Sequence, residues 1–457
     1  MTAESTAPTG DHLAPPTPDP PRSDRRERTG WYFYDWANSA FATTVVTVFL
    51  GPYLGSVADN AADAHGRVHP LGIPVAAGSL FAYTVSLSVL LTVFILPVVG
   101  AVADRSARKK QLLALFTYLG AAATVALVFV TGDRYLLGAL LFLFANICYG
   151  ATNVVYNSFL PQLAGPDDRD RISSVGWAIG YIGGGLLLGL NVIAVQFGGD
   201  AHESLVARWC LVSAGLWWAA FTTIPLVRLR NRPAVAGQRH GSVLTDGFRQ
   251  LGRTLRHLAG YRLTLLFLVA YLIYNDGIQT VVTLAGVYAD KQLHLSQSVR
   301  VETILLVQFL AFFGAWAMGR VAARIGGQRT VLGSLVVWVV ALGLAYLLPA
   351  GRAIPFVLLG CLIGIVLGGS QALSRSLFSQ LIPHGQEAEY FGLYEISSDG
   401  TSWLGPLLFG LAYQITHTYR AAIVSLLVFF VVGFVALLAV PMRRAVIAAG
   451  NAAPRLL

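Results

Sequence analysis

Charge is what this sequence has least of: 12% of its 457 residues are Asp, Glu, Lys or Arg, where soluble domains carry roughly a quarter. With 55% hydrophobic residues and a mean hydropathy of +0.62, the composition points to a membrane protein. Cysteine is also scarce. Cys148, Cys210 and Cys361 all lie inside apolar runs without CxxC spacing, which argues against a disulfide framework and a thiolate metal centre. The nine histidines fall mostly in loops and show no ligand spacing, so neither a metal nor a cofactor is expected. No G-x-x-x-x-G-K-[ST] stretch occurs, which argues against direct ATP drive within the chain. The first thirty residues lack the roughly 7–15 apolar residues of a signal-peptide core. Rich in proline and polar groups, residues 1–30 read as a disordered cytoplasmic tail.

What the sequence does have is long apolar runs. A helix needs about 20 such residues to cross the hydrocarbon core, and about twelve runs qualify by length and by their Gly, Pro and charge boundaries. They start near Trp31, Gly78, Gln111, Tyr135, Ile172, Ser204, Arg262, Ser298, Thr330, Ala353, Glu389 and Arg420. Numbered from one to twelve, they predict an all-α membrane protein with twelve transmembrane helices.

The basic residues orient it. With the N-terminus inside, about 25 of the 32 Lys and Arg fall in cytoplasmic loops and about 7 outside, as the positive-inside rule requires. The net charge of +9 then reports topology, and nucleic acid is not an expected partner. Both termini are placed in the cytoplasm and the chain in the cell membrane. The longest polar interruption, Arg228 to Tyr261, separates a bundle of six spans at 31–228 from a second at 262–443, with a cytoplasmic linker at 229–261 and a tail at 444–457. Within the linker, GSVLTDGFRQLGRTLRHLAG reads either as a short helix on the membrane surface or as a solvated connection.

The halves look like copies. GAVADRSARKK after span two aligns with GRVAARIGGQR after span eight, matching Gly100 with Gly319, Ala103 with Ala322 and Arg105 with Arg324, while Ala323 stands where the first copy has Asp104. Span one carries Asp35-x-x-Asn38 and span seven Asp276-x-x-Gln279, an acid followed three residues on by an amide.

The loop pattern G-x-x-x-D-R-x-x-R-K in this topological place resembles the major facilitator superfamily of secondary transporters. More narrowly, YDWANSAF, YNSFLPQL, GGSQALSRSLFSQLIP and EYFGLYEISS resemble the branch that includes the fungal vacuolar amino-acid effluxer of autophagy and its bacterial relatives. The resemblance runs from Trp31 to about Arg443. It implies two pseudo-symmetric six-helix bundles that rock about a central cavity, working as a monomer. It also implies a conformational latch at Gly100, Asp104, Arg105, Arg108 and Lys109, weaker in the second half where Ala323 departs from the pattern. An acid beside several bases can pair in one arrangement and part in another; the plainer reading is charge that only sets topology.

Ionisable groups at membrane depth cost roughly 3 kcal/mol and normally face the protein interior, so the polar residues within spans map the pathway. Asp35, Asn38, Asp276 and Gln279 are aimed at the cavity if spans one and seven line it, as the resemblance implies; otherwise Asp35 is an interfacial acid at a helix start. Asn146, Asn153 and Asn157 form one polar stripe on span four, near Tyr149 and Tyr156. Gln371 and Arg375 sit four apart on span ten, and Glu395 and Asp399 four apart on span eleven. Arg375 is expected to pair with Glu395 or Asp399, as a gate, a clamp for a substrate carboxylate, or a structural pair at the helix ends. Trp31 and Tyr32 are expected at the membrane interface. Trp177 and Tyr181 precede the glycines 183–185 of span five and are read as lining a moving contact.

The expected function is secondary transport of a small polar solute, amino acids by resemblance, outward from the cytoplasm. Asp35, Asp276, Glu395 and Asp399 are the candidate proton carriers. Alternatives are export of drugs or secondary metabolites and a non-transporting sensor. An enzyme is not expected, since no His with Asp or Ser lies at the bilayer edge.

Overall fold

The computed structural model describes residues 24–198, 203–233, 261–399 and 404–457. Residues 1–23 of the expected disordered tail and nearly all of the linker lie outside the described residues, as do the side chain of Asp399 and residues 400–403, while residues 25–30, expected within that tail, are helical.

In lipid every backbone N–H and C=O must be satisfied within its own segment, so the apolar runs become helices. Among the described residues eleven are long and apolar enough to cross a membrane: spans one to six are Arg25–Asn60, Ala77–Arg105, Lys109–Phe129, Tyr135–Leu163, Pro166–Phe197 and Ser204–Arg228; spans seven to ten are Arg262–Lys291, Gln297–Ile325, Gly327–Leu347 and Ala353–Gln380; span twelve is Tyr419–Leu438. Span eleven is described as two shorter helices, Glu387–Asp399 and Leu404–Thr416. Spans one and five begin a turn or two before the expected Trp31 and Ile172, because their first turns are polar. Asp24 caps span one by accepting from the Arg26 N–H at 3.2 Å, and buried Glu27 accepts from the Arg230 N–H and from Arg232 at 3.1 Å each. Hydropathy cannot see a helical turn held by charge.

Span one is π-helical over Phe41–Phe49. Pro52 follows just beyond; it has no N–H to give and its ring crowds the carbonyl one turn back, which the widened stretch accommodates. After span one a two-stranded antiparallel hairpin, β1 Arg67–Val68 and β2 Val75–Ala76, marks what we call the hairpin end of the molecule. There the Asp63 carboxylate accepts from the Arg67 and His65 N–H groups at 2.9 Å and faces His69 Nε2 at 3.0 Å. The Arg67 N–H above all, with His69, holds the Asp63 carboxyl down to about 2. The opposite, basic end carries the loop after span two.

Small residues set the helix spacing. On span five, Gly176, Gly180, Gly183 and Gly184 face span one so closely that a Cβ at Gly180 would lie 2.8 Å from Ser39 Oγ and one at Gly183 2.6 Å from the Trp36 carbonyl. Across the two bundles, span two packs on span eleven, and span five on spans eight and ten.

Candidate functional site

One arginine carries a buried ion pair between the two bundles. Arg375, on span ten, is 2% exposed and Asp35, on span one, 7%; charges that deep are tolerable only when paired and hydrogen-bonded. Arg375 Nη2 and Nη1 donate to Asp35 Oδ2 at 3.2 Å and Oδ1 at 3.4 Å, a two-pronged pair. Its Nε donates to Ser173 Oγ at 2.9 Å, Nη2 to the Ser173 carbonyl at 3.0 Å and Nη1 to Asn157 Oδ1 at 3.3 Å. Five hydrogen bonds therefore serve the five N–H donors of the guanidinium. All their acceptors come from spans one, four and five.

Aromatic rings complete the enclosure. The guanidinium carbon lies 4.7 Å from the Trp31 ring, 5.4 Å from Trp177 and 5.7 Å from Tyr156. Tyr156 donates to Asp35 Oδ2 at 2.7 Å and stacks on Trp31 with ring centroids 4.6 Å apart, while Trp31 Nε1 donates to the Tyr156 carbonyl at 3.1 Å. Gly176 leaves room for this: a Cβ there would sit 2.6 Å from Asp35 Oδ2 and 2.7 Å from Trp31.

Two expectations are corrected here. Arg375 does not pair with Glu395: its side chain crosses to the other bundle, and Glu395 Oε1 instead accepts from Asn157 Nδ2 at 2.8 Å. Trp31 is not at the interface; it is fully buried beside Arg375, because the polar turns before it carry the helix start beyond the hydrocarbon.

Beside the pair lies a polar cavity of about 160 Å³, reached by Asn38, Asn153, Gln279, Gln371 and Glu395. Asn38 Nδ2 donates to Asn153 Oδ1 at 2.8 Å and Gln371 Nε2 to Asn275 Oδ1 at 2.7 Å, so the amide stripe forms bonds within each bundle. Asn146 is apart from them, donating to Ser88 Oγ at 2.9 Å. Ser39, Tyr149, Trp177, Gln279 and Gln371 also line a larger, mostly apolar cavity of about 360 Å³, which includes Tyr181, Val307 and Phe356 and extends toward the hairpin end. Asp276 lines neither. It is 1% exposed, neither carboxylate oxygen accepts a hydrogen bond among the described residues, and the Gly405 N–H approaches it outside bonding geometry.

The basic end is closed. Asp104 Oδ1 and Oδ2 accept from the Ala388 N–H at 3.0 Å and the Glu389 N–H at 2.9 Å, and Lys109 Nζ donates to Asp104 at 2.9 Å. The acid thus satisfies N–H groups at the start of Glu387–Asp399, where a helix favours negative charge. Gly100 permits the approach: a Cβ there would fall 2.7 Å from the Glu389 Cα. Asp104 and Lys109 make these bonds across the space Gly100 leaves; Arg105 is half-buried and Arg108 exposed. Ser173 and Trp31 escaped the sequence reading, Ser173 because nothing in ISSVG distinguishes it from helix packing.

Two helical bundles around a polar cleft, closed at one end by helix-terminal charge, define a multi-pass membrane transporter of the major facilitator fold rather than an enzyme. Solved structures are similar over nearly the whole chain: the proton:xylose symporter XylE at TM-score 0.64 with 14% identity, covering 90% of this chain and 93% of that one, and a bacterial homologue of the iron transporter ferroportin at TM-score 0.62 with 14% identity, covering 90% and 98%. The chain belongs to the family described as vacuole effluxer Atg22 like, whose model matches residues 23–450. Relatives include the MFS-type transporter YxiO of Bacillus subtilis, 28% identical over 91% of this chain and 95% of that protein, and autophagy-related protein 22-1 of Penicillium rubens, 26% identical over 94% and 92%.

Proposed function

We propose that the chain exports a small zwitterionic solute of the amino-acid class by alternating access, as a monomer in the cell membrane with both termini in the cytoplasm. The observation that carries this reading is the Asp35–Arg375 pair: one acid and one base, on different bundles, at the wall of a polar cavity that continues into an apolar one. A solute carboxylate can take Arg375 and its ammonium Asp35, while an apolar side chain lies toward Trp177 and Tyr181. The vacuole-effluxer description of the family supports outward transport, while the substrate class rests on the paired acid and base. The closed basic end and the cavity extending toward the hairpin end fit an outward-facing state, with Gly100, Asp104 and Lys109 as its latch. Asp276, 1% exposed and accepting no hydrogen bond among the described residues, is the proposed proton carrier. A drug exporter would be expected to offer a larger aromatic, less charged cavity; the 360 Å³ cavity with Tyr149, Trp177, Tyr181 and Phe356 favours that second reading, and the Asp35–Arg375 pair at its polar neighbour favours the zwitterion.

Proteoliposomes loaded with radiolabelled amino acids are expected to lose label faster than empty vesicles, and faster still with an inward proton gradient. No acceleration over a broad panel removes the substrate class, and indifference to the gradient removes the coupling. Labelling of a Ser106→Cys variant from the cytoplasmic face only is expected; labelling from outside would invert the topology.

A further inference from the structure

Arg375 belongs to span ten, yet every hydrogen bond its guanidinium donates ends on the first bundle, at Asp35, Asn157 and Ser173. The three rings around it, Trp31, Tyr156 and Trp177, also stand on the first bundle. Among the described residues the enclosure is therefore a cation site whose one carboxylate and three aromatic rings all stand on the first bundle, filled by a cation tethered to the second; Ser173 and Asn157 also bond to the second bundle, at the Ala372 carbonyl and Glu395. When the bundles part at the basic end, Arg375 leaves as a unit and the site stays behind.

We infer that this enclosure is the binding site for the ammonium or guanidinium head of the solute in the inward-facing state, and that Arg375 is its built-in competitor, displacing the solute when the basic end closes. The inference rests on the alternating-access reading above. It explains why the polar cavity lies directly against the pair: Asp35, Trp177 and Arg375 all line it, so a displaced solute moves into a space that continues toward the hairpin end. Three ring faces suit an organic cation, whose shed water they replace, better than a strongly hydrated alkali ion.

The test is equilibrium binding of radiolabelled guanidinium, which has the shape of the Arg375 head, to the full chain in lipid nanodiscs. Because apparent affinity scales with the fraction of molecules whose site is empty, wild type is expected to bind weakly. Asp104→Asn, far from the enclosure and leaving Arg375 in place, is expected to bind about tenfold tighter by releasing the latch. Arg375→Gln should match it, and Asp35→Asn added to the Asp104→Asn background should abolish binding. The inference is overturned if Asp104→Asn binds no tighter than wild type, if binding survives Asp35→Asn, or if sodium displaces guanidinium at equal concentration. Should Arg375→Gln fail to fold, the Asp104→Asn pair of measurements decides alone. Binding without amino-acid flux in the proteoliposome panel would sink the proposed substrate class and leave this site standing.

Discussion

The first bundle and the second carry the same acid-x-x-amide signature and treat it in opposite ways. Asp35 accepts from Tyr156 and from both prongs of Arg375; Asp276 is buried as deeply and accepts nothing among the described residues. The amides diverge less: Asn38 and Gln279 both reach the polar cavity. At the basic end the contrast repeats, with Asp104 buried in the inter-bundle contact and Ala323 exposed. There the second bundle's loop contributes no acid of its own; it meets span five through Gly319 against Ser174 and through Gly327 against the Asp170 carboxylate. Nearby, Arg169 Nη1 donates to the Ser379 carbonyl at 2.8 Å. A cation at the end of span ten complements the helix as Asp104 complements the start of span eleven. The two halves carry a matching copy of each motif, and in each case the first bundle's acid makes the contact across the bundles.

The comparison can be broken most severely at its charged member. Arg375→Gln leaves Asp35 buried without its counter-charge, which costs about 3–5 kcal/mol; thermal denaturation in detergent should show the loss and flux should vanish. Gly176→Ala drives a methyl into Asp35 and Trp31 and is expected to destabilise by about 1–3 kcal/mol, whereas Gly189→Ala, with open space around it, should be silent in the same melt. Asp104→Asn weakens bonds to a charged acceptor worth about 1.5–3 kcal/mol, and should raise the labelling rate of a cysteine at Ser376 from the basic face. Asp276→Asn should leave folding intact while flattening the pH dependence of flux; an unchanged profile would end the proton assignment and make the two acids equally structural. Ala323→Asp restores the missing acid at an exposed position and should shift stability by less than about 0.5 kcal/mol. A larger gain would mean that the second loop docks more tightly than its exposure suggests.

Much of the architecture was legible because bilayers impose long apolar runs and basic inner loops, and both leave marks in one dimension. The polar stripe of span four and the cavity amides were legible for the same reason, polar groups being costly in lipid. The partner of Arg375 was not. Spacing reveals which residues share a helix face, so it favoured an acid on the neighbouring span, while the real one lies 340 residues away in sequence. Trp31 looked like an interfacial aromatic because a charged first turn is invisible to hydropathy. Asp276 matched Asp35 in spacing, but which way span seven is rotated depends on its packing against Gly405 and Phe429, which no local pattern encodes.

That separation of 340 residues also has a meaning for how the molecule is made. During synthesis the first bundle enters the bilayer with Asp35 already surrounded by Trp31, Tyr156 and Ser173, long before span ten leaves the ribosome. A lone carboxylate at that depth costs roughly 3 kcal/mol, so the nascent bundle must keep its acid wetted until the second bundle arrives. The arrival of Arg375 then closes assembly from the far end of the chain.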